Sequence, residues 1–185
     1  MINQKVGGFF NVSGNSNREF WFGHIIILLA TVAGVYLAAS AGLKTAVEFE
    51  LIKSDRDSYY MRSALLDEVT DNATQMETWG KEYRGGQARK FIGNPADFKL
   101  DNFIWQTMKD SPGTFEIPSE ILTGIRRYYR ESDNTLRHMT AKKPAAKQVD
   151  EMLKKTETFN AEVIPLLETD IQNLRKKLEA LSIEL

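Results

Sequence analysis

The chain has 185 residues and nearly balanced charge, with 24 Lys and Arg against 25 Asp and Glu and a formal net charge of −1. That balance excludes a nucleic-acid binder working by bulk positive charge, because such affinity rests on surplus cations displacing counterions. The absence of Cys excludes disulfides, thiolate metal sites and thiol catalysis.

Residues 1–19 hold Gly7, Gly8, Asn11, Ser13, Gly14, Asn15, Ser16 and Asn17, a composition that predicts a flexible N-terminal tail. Phe9 and Phe10 are its only large apolar pair. Residues 20–43 then contain no Asp, Glu, Lys or Arg. The run from Ile25 to Leu43 is almost continuously apolar, and at about 1.5 Å per residue it covers roughly the hydrocarbon thickness of a bilayer. Phe20, Trp21 and Phe22 suit the aromatic belt at one membrane interface and Lys44 marks the other, so the segment is expected to be a transmembrane helix in contact with lipid. Ala39-Ser40-Ala41 resembles a signal-peptide cleavage site, but the stretch ahead of the apolar core is long and barely basic, which favours an uncleaved anchor.

Within the span Ala30, Gly34, Ala38 and Gly42 recur every four residues and form one stripe of small side chains. Such a stripe lets a second helix backbone approach closely, which promotes association where lipid removes the hydrophobic incentive. His24 has no companion ligand nearby and reads as a polar residue at the membrane edge. Lys44, Lys53, Arg56 and Arg62 follow the span, interleaved with Glu48, Glu50, Asp55 and Asp57, against Lys5 and Arg18 before it. A count of cations alone places the following domain in the cytoplasm. The acidic dilution and the habit of bacterial N-terminal anchors favour the periplasmic side of an inner membrane.

Residues 44–185 read as a helical extramembrane domain. No Pro or Gly occurs between Lys44 and Trp79, so the span is expected to run into a long helix ending near Gly80 and Arg84-Gly85-Gly86. Ile52, Tyr59, Leu66 and Ala73 repeat every seven residues with Val69 and Met76 on the same face, a coiled-coil-like seam into which Asp55 and Arg62 also fall. The basic stretch Arg84–Lys90 is read as a solvated turn and not as a phosphate loop, since no other element of that motif is present. After Asn94-Pro95, Asp97–Met108 predicts a short helix bearing Trp105, and Ser111-Pro112-Gly113 a turn. Pro118 and Glu120 suit the start of a further helix whose face carries Ile121, Ile125, Tyr128, Ser132, Leu136 and Met139. Lys142-Lys143-Pro144 closes it. The last helix, about 145–181, places Met152, Phe159, Val163, Leu167, Ile171, Leu174, Leu178 and Leu181 on one face, and Pro165 is expected to kink or split it near Glu162. No window alternates as a strand does. The expected fold is all-α: a single N-terminal transmembrane helix followed by a long-helix antiparallel bundle or coiled-coil-like domain. Core packing is expected for Trp79 and the pair Tyr128-Tyr129.

The order of these elements resembles a group of uncharacterised bacterial single-pass membrane proteins. The matching residues are Tyr59 through Leu66, Glu68, Asp71 and Asn72 after the span, then Trp105, and Pro118-Ser119-Glu120-Ile121-Leu122 with Tyr128. The resemblance covers about residues 25–137 and implies fold and topology, with no activity to carry over.

The sequence offers no catalytic, cofactor-binding or metal-binding set. His24 and His138 are far apart, and His138 beside Arg137 is explained by the helix dipole. Asp67, Glu68 and Asp71 crowd one turn as helix-surface acids do. Nucleotide and zinc-protease motifs are missing. The expected function is therefore non-enzymatic: an accessory or scaffold subunit that stabilises or regulates a larger bacterial membrane complex. It would dock on another integral membrane subunit and take no nucleic acid. A membrane-tethered sensory or ligand-binding module, signalling to a separate protein, is the alternative, and a homo-oligomer through the stripe is a third.

Overall fold

The computed structural model describes residues 16–85, 99–141, 146–183 and 185. Most of the tail, Gly86–Lys90, Asn94-Pro95 and Lys142-Lys143-Pro144 lie outside the described residues, as does the side chain of His138. Every regular element described is helical: α1 Ser16–Arg84, α2 Phe103–Met108, a 3-10 turn Pro112–Glu116, α3 Ser119–Ala141 and α4 Ala146–Ala180. The helix thus begins at Ser16, within the segment read as tail. Asp101 and Asn102, expected in the short helix, precede it.

The chain divides into two compact units, one up to Glu50 and one from Leu51, a boundary a few residues beyond the end of the apolar run. In the first unit α1 carries no Asp, Glu, Lys or Arg over residues 20–43, and one stretch of it is long and apolar enough to cross a membrane. Its few polar side chains turn back on the helix itself. Thr31 donates to the Ile27 carbonyl at 2.8 Å, Thr45 to that of Ala41 at 3.1 Å, and the His24 ring lies 2.8 Å from the Phe20 carbonyl. That self-satisfaction is what an apolar surrounding demands, since no water is there to take the donors.

From Leu51 onward α1 changes character. Its buried positions are Ser58, Arg62, Leu65, Val69, Asn72, Ala73, Met76 and Trp79. With half-buried Asp55, the set 55, 58, 62, 65, 69, 72, 76, 79 alternates steps of three and four, the spacing of a heptad seam. The centre of the seam runs through Arg62 and Leu65. Ile52, Tyr59 and Leu66, expected at its centre, flank it half-buried.

Helix α4 runs back along this part of α1. Asp150 pairs with Arg84, Asp170 with Arg62 and Lys177 with Asp55, so partners descend on α1 as they ascend on α4. Glycine sets the closest approaches. A Cβ on Gly80 would stand 2.6 Å from Leu153 Cδ2, and one on Gly124 would stand 2.7 Å from Val163 Cγ2. Helix α3 is likewise antiparallel to α4, with Lys155 on Glu131 at 3.0 Å and Tyr128 stacked on Phe159 at 4.1 Å. It follows that α3 runs in the same direction as α1. The segment between them makes this possible by travelling the other way, from Asp101 beside Asn72 to Glu116 beside Ser58. Trp79, Trp105 and Tyr128 are all in the core formed among these helices.

Pro165 does not split α4, which is continuous through it. The proline and Ala161, whose carbonyl loses its N–H partner, are both exposed, so the freed carbonyl is open to solvent. Phe159 and Leu167 anchor the helix on either side. The helix ends in a Schellman motif. Ile183 N–H donates to the Leu178 carbonyl at 3.1 Å and Ser182 N–H to that of Glu179 at 2.9 Å, with Ser182 at φ 59°. That left-handed position ordinarily falls to Gly. Ser182→Gly should therefore stabilise the domain by about 0.5–1 kcal/mol, read as a higher midpoint in urea unfolding of the full chain.

Candidate functional site

Two places concentrate what the molecule could offer a partner or a ligand: the small-residue face of the apolar helix, and the polar half of the α1 seam. On the first, Ala30, Gly34, Ala38 and Gly42 are exposed, and a Cβ built on Gly34 or Gly42 meets nothing within 4 Å. The flanking Phe20, Trp21, Phe22 and Lys44 are exposed too. Phe20 stacks against His24 with ring centroids 4.1 Å apart, which together with the backbone contact accounts for that histidine.

The second place holds a buried cation. Arg62 is 5% exposed; its Nη1 donates to Asp170 Oδ2 at 2.8 Å and its Nη2 to Glu116 Oε2 at 3.4 Å. Ser58 donates to the same Glu116 oxygen at 3.1 Å. The two carboxylates are unequal, Asp170 being 18% exposed and Glu116 49%. The stronger pair is therefore with Asp170, where low polarity leaves the attraction unscreened. Two turns earlier Asp55, 15% exposed, pairs with Lys177 at 2.6 Å. Asp55 and Arg62 had been expected in the seam, but nothing in the sequence named their partners more than a hundred residues away.

A further network sits two turns along. Asn102 provides no side-chain cap for α2. Glu68 of α1 serves instead, its carboxylate accepting Ile104 N–H at 2.6 Å and Trp105 N–H at 3.1 Å. These are the donors an N-cap side chain normally takes, and the helix dipole favours the negative charge there. Tyr129 donates its hydroxyl to Glu68 at 2.7 Å. The fully buried Asn72 amide pairs with Asp101 like a backbone segment, donating to its carbonyl at 2.5 Å and accepting its N–H at 2.9 Å, and it also donates to the Tyr129 hydroxyl at 3.0 Å. Read as a surface acid in sequence, Glu68 is the ligand of a helix end. A carboxylate one turn from a buried-pattern Asn, with a Tyr available elsewhere, was the only available signal.

Burial pushes the Tyr129 hydroxyl well above its ordinary value near 10, and the hydrogen bond and negative charge of Glu68 push the same way. Burial also raises Tyr128, against the opposing hydrogen bonds of Thr156 and Ser132. Neither phenol is poised as an acid or base near neutrality. Among the described residues no group of three His, Asp or Glu comes together to hold a metal. The polar residues of the seam, and Glu68 at the start of α2, are used in joining helices.

Comparison of the chain with protein-family profiles, curated proteins and solved structures returns no match.

The networks make two checks possible. Asp170→Asn removes the less exposed acid from a buried guanidinium and should cost about 2–3 kcal/mol, whereas Glu116→Gln at the wetter end should cost under about 1 kcal/mol; urea unfolding of each variant decides. The second concerns pH. Because the Tyr129 pKa is raised on folding, the native state binds more protons than the unfolded chain above pH 10, and stability is lost as pH rises from there. Tyr129→Phe, which lacks that proton, should be the less stable protein near neutrality. Its deficit against wild type should narrow above about pH 10; a constant deficit across the alkaline range would contradict the assignment.

Proposed function

We propose that the protein is a non-catalytic, single-pass accessory subunit of the bacterial inner membrane that stabilises or regulates a larger membrane complex. On this reading residues 20–43 span the bilayer, the helical domain stands on the periplasmic side, and the partner is another integral membrane protein. The observation that carries the proposal is the small-residue face of the apolar helix. Along Ala30, Gly34, Ala38 and Gly42 an incoming helix meets backbone and methyl groups, so it can approach closely enough for dispersion contacts along several turns. A span serving only as a lipid anchor has no use for such a face. The domain adds a second argument: Arg62, Asp55, Glu68 and Asn72 are spent on contacts between its helices, which suits a body that presents surfaces to a neighbour.

Gly34→Leu tests this. Leu is at least as apolar as Gly, so insertion and abundance should be normal, while the added side chain holds a neighbouring helix off. Recovery of the co-purifying membrane protein in mild detergent should fall by about tenfold, the loss of roughly 1.4 kcal/mol of packing. Leu29→Ile, which conserves volume, should change recovery little. Unchanged recovery for both Gly34→Leu and Ala38→Leu would reduce the span to an anchor. Cross-linking to a second copy alone would replace the heteromeric partner by a homo-oligomer.

A further inference from the structure

Eight of the seventeen described cations from Leu51 onward are neutralised by a carboxylate of the same domain. Arg62, Lys81, Arg84, Arg137, Lys147, Lys155 and Lys177 all have one within 4 Å, and Arg175 has Glu179 at 2.7 Å. Of the others, Arg126, Arg127 and Arg130 cluster on α3. All three are exposed and pair with no carboxylate among the described residues. They lie within five consecutive residues, on the side of the helix away from buried Ile121, Ile125, Tyr128 and Ser132.

The nearby acids make the gap conspicuous. Glu131 stands four residues after Arg127, the spacing at which a helix pairs opposite charges, yet it turns to Lys155 of α4 at 3.0 Å. Asp133, three residues after Arg130, is taken by Arg137 at 2.9 Å. Arg126 and Arg130 are instead left as a like-charge pair four apart, with Arg127 and Arg130 three apart, arrangements that cost an isolated helix a few tenths of a kcal/mol. Arginine's planar fork matches a carboxylate in two-point contact and retains little water, which makes it the cation most suited to an interface.

We propose that this face of α3 docks an acidic segment of a partner protein, whose carboxylates supply the counter-charges the domain withholds. The inference rests on the accessory-subunit reading and names the chemistry of its partner's contact. Charge complementarity is the ground for that occupant. Tyr129, between these arginines, is fastened to Glu68 and Asn72, which sets the patch level with the middle of the α1 seam.

The test uses the full chain in phosphatidylcholine nanodiscs and a labelled peptide of about twelve glutamates as the probe. The peptide should bind, and binding should weaken as salt rises from about 50 to about 300 mM. Reversal of Arg126, Arg127 and Arg130 to Glu should lower affinity by about tenfold or more, and their replacement by Gln, which keeps helix propensity, should act in the same direction. Reversal of Lys53, Lys154 and Lys176, exposed cations also unpaired among the described residues, makes the same change in net charge and should matter little. Equal losses in the two triple variants would reduce binding to diffuse attraction and overturn the proposal. So would arginine-dependent binding of vesicles about one-fifth phosphatidylserine, or of a single-stranded oligonucleotide, without arginine-dependent binding of the peptide. The native complex keeps the two readings apart. If wild-type protein recovers a membrane partner and the Gln triple variant recovers it equally, this inference falls and the accessory role stands. If wild type recovers none and runs as a monomer, the accessory role falls.

Discussion

The carboxylate of Glu68 at the start of α2 is the contact on which the path of the chain depends. Two backbone donors of a six-residue helix converge on it, and a helix that short has little stability of its own. Held against α1, the segment from Asp101 to Glu116 travels back along the seam before α3 begins. Without that return stretch α3 would descend beside α1 as an ordinary hairpin partner. With it, α3 ascends in the direction of α1 and α4 can pack antiparallel to both. Asn72 reinforces the same junction by copying a backbone pair with Asp101, and Tyr129 ties α3 to it by one hydroxyl.

The long helices were legible in the sequence because their periodicities are strong and Pro and Gly punctuate them. Ile121, Ile125, Tyr128 and Leu136 are buried on α3 as their 3–4 spacing indicates, and so are Met152, Phe159, Leu167 and Ile171 on α4. On α1 the pattern was harder. An apolar count centres the stripe on Ile52, Tyr59 and Leu66, but beside the expected Arg62 the helix buries Ser58 and Asn72. Polar residues enter a core only with partners, and those partners come from α2's approach, from Glu116 and from α4. Tertiary pairing moved the seam by one position, and no local pattern contains that information. At Pro165 the sequence left a kink or a split open, and the split is absent because the freed Ala161 carbonyl lies on an exposed stretch of the helix.

The candidate interaction surfaces divided in the same way. The stripe Ala30, Gly34, Ala38 and Gly42 needed only a count of every fourth residue, because side-chain size is a property of each position alone. The unpaired character of Arg126, Arg127 and Arg130 is a property of where Glu131 and Asp133 turn. Sequence spacing alone would have paired Arg127 with Glu131. The choice of Glu131 for Lys155 across the helix pair is a product of the packing of α3 on α4.

The charges of the seam also fix how α1 sits lengthwise against α4. In the observed register Arg62 faces Asp170 and Asp55 faces Lys177. A slide of α1 by one heptad keeps the same stripe against α4, so apolar burial alone would resist it weakly. The charges resist it strongly. In one direction Arg62 would arrive at the level of Lys177, a like charge. In the other it would arrive near Val163, leaving a guanidinium buried without a partner, a cost of several kcal/mol. A buried ion pair adds little to stability against a well-packed apolar substitute, but it discriminates between registers that hydrophobic contacts treat as alike. Leu65, Val69 and Met76 supply the seam's apolar burial, and Asp55 and Arg62 determine where along α4 that burial occurs.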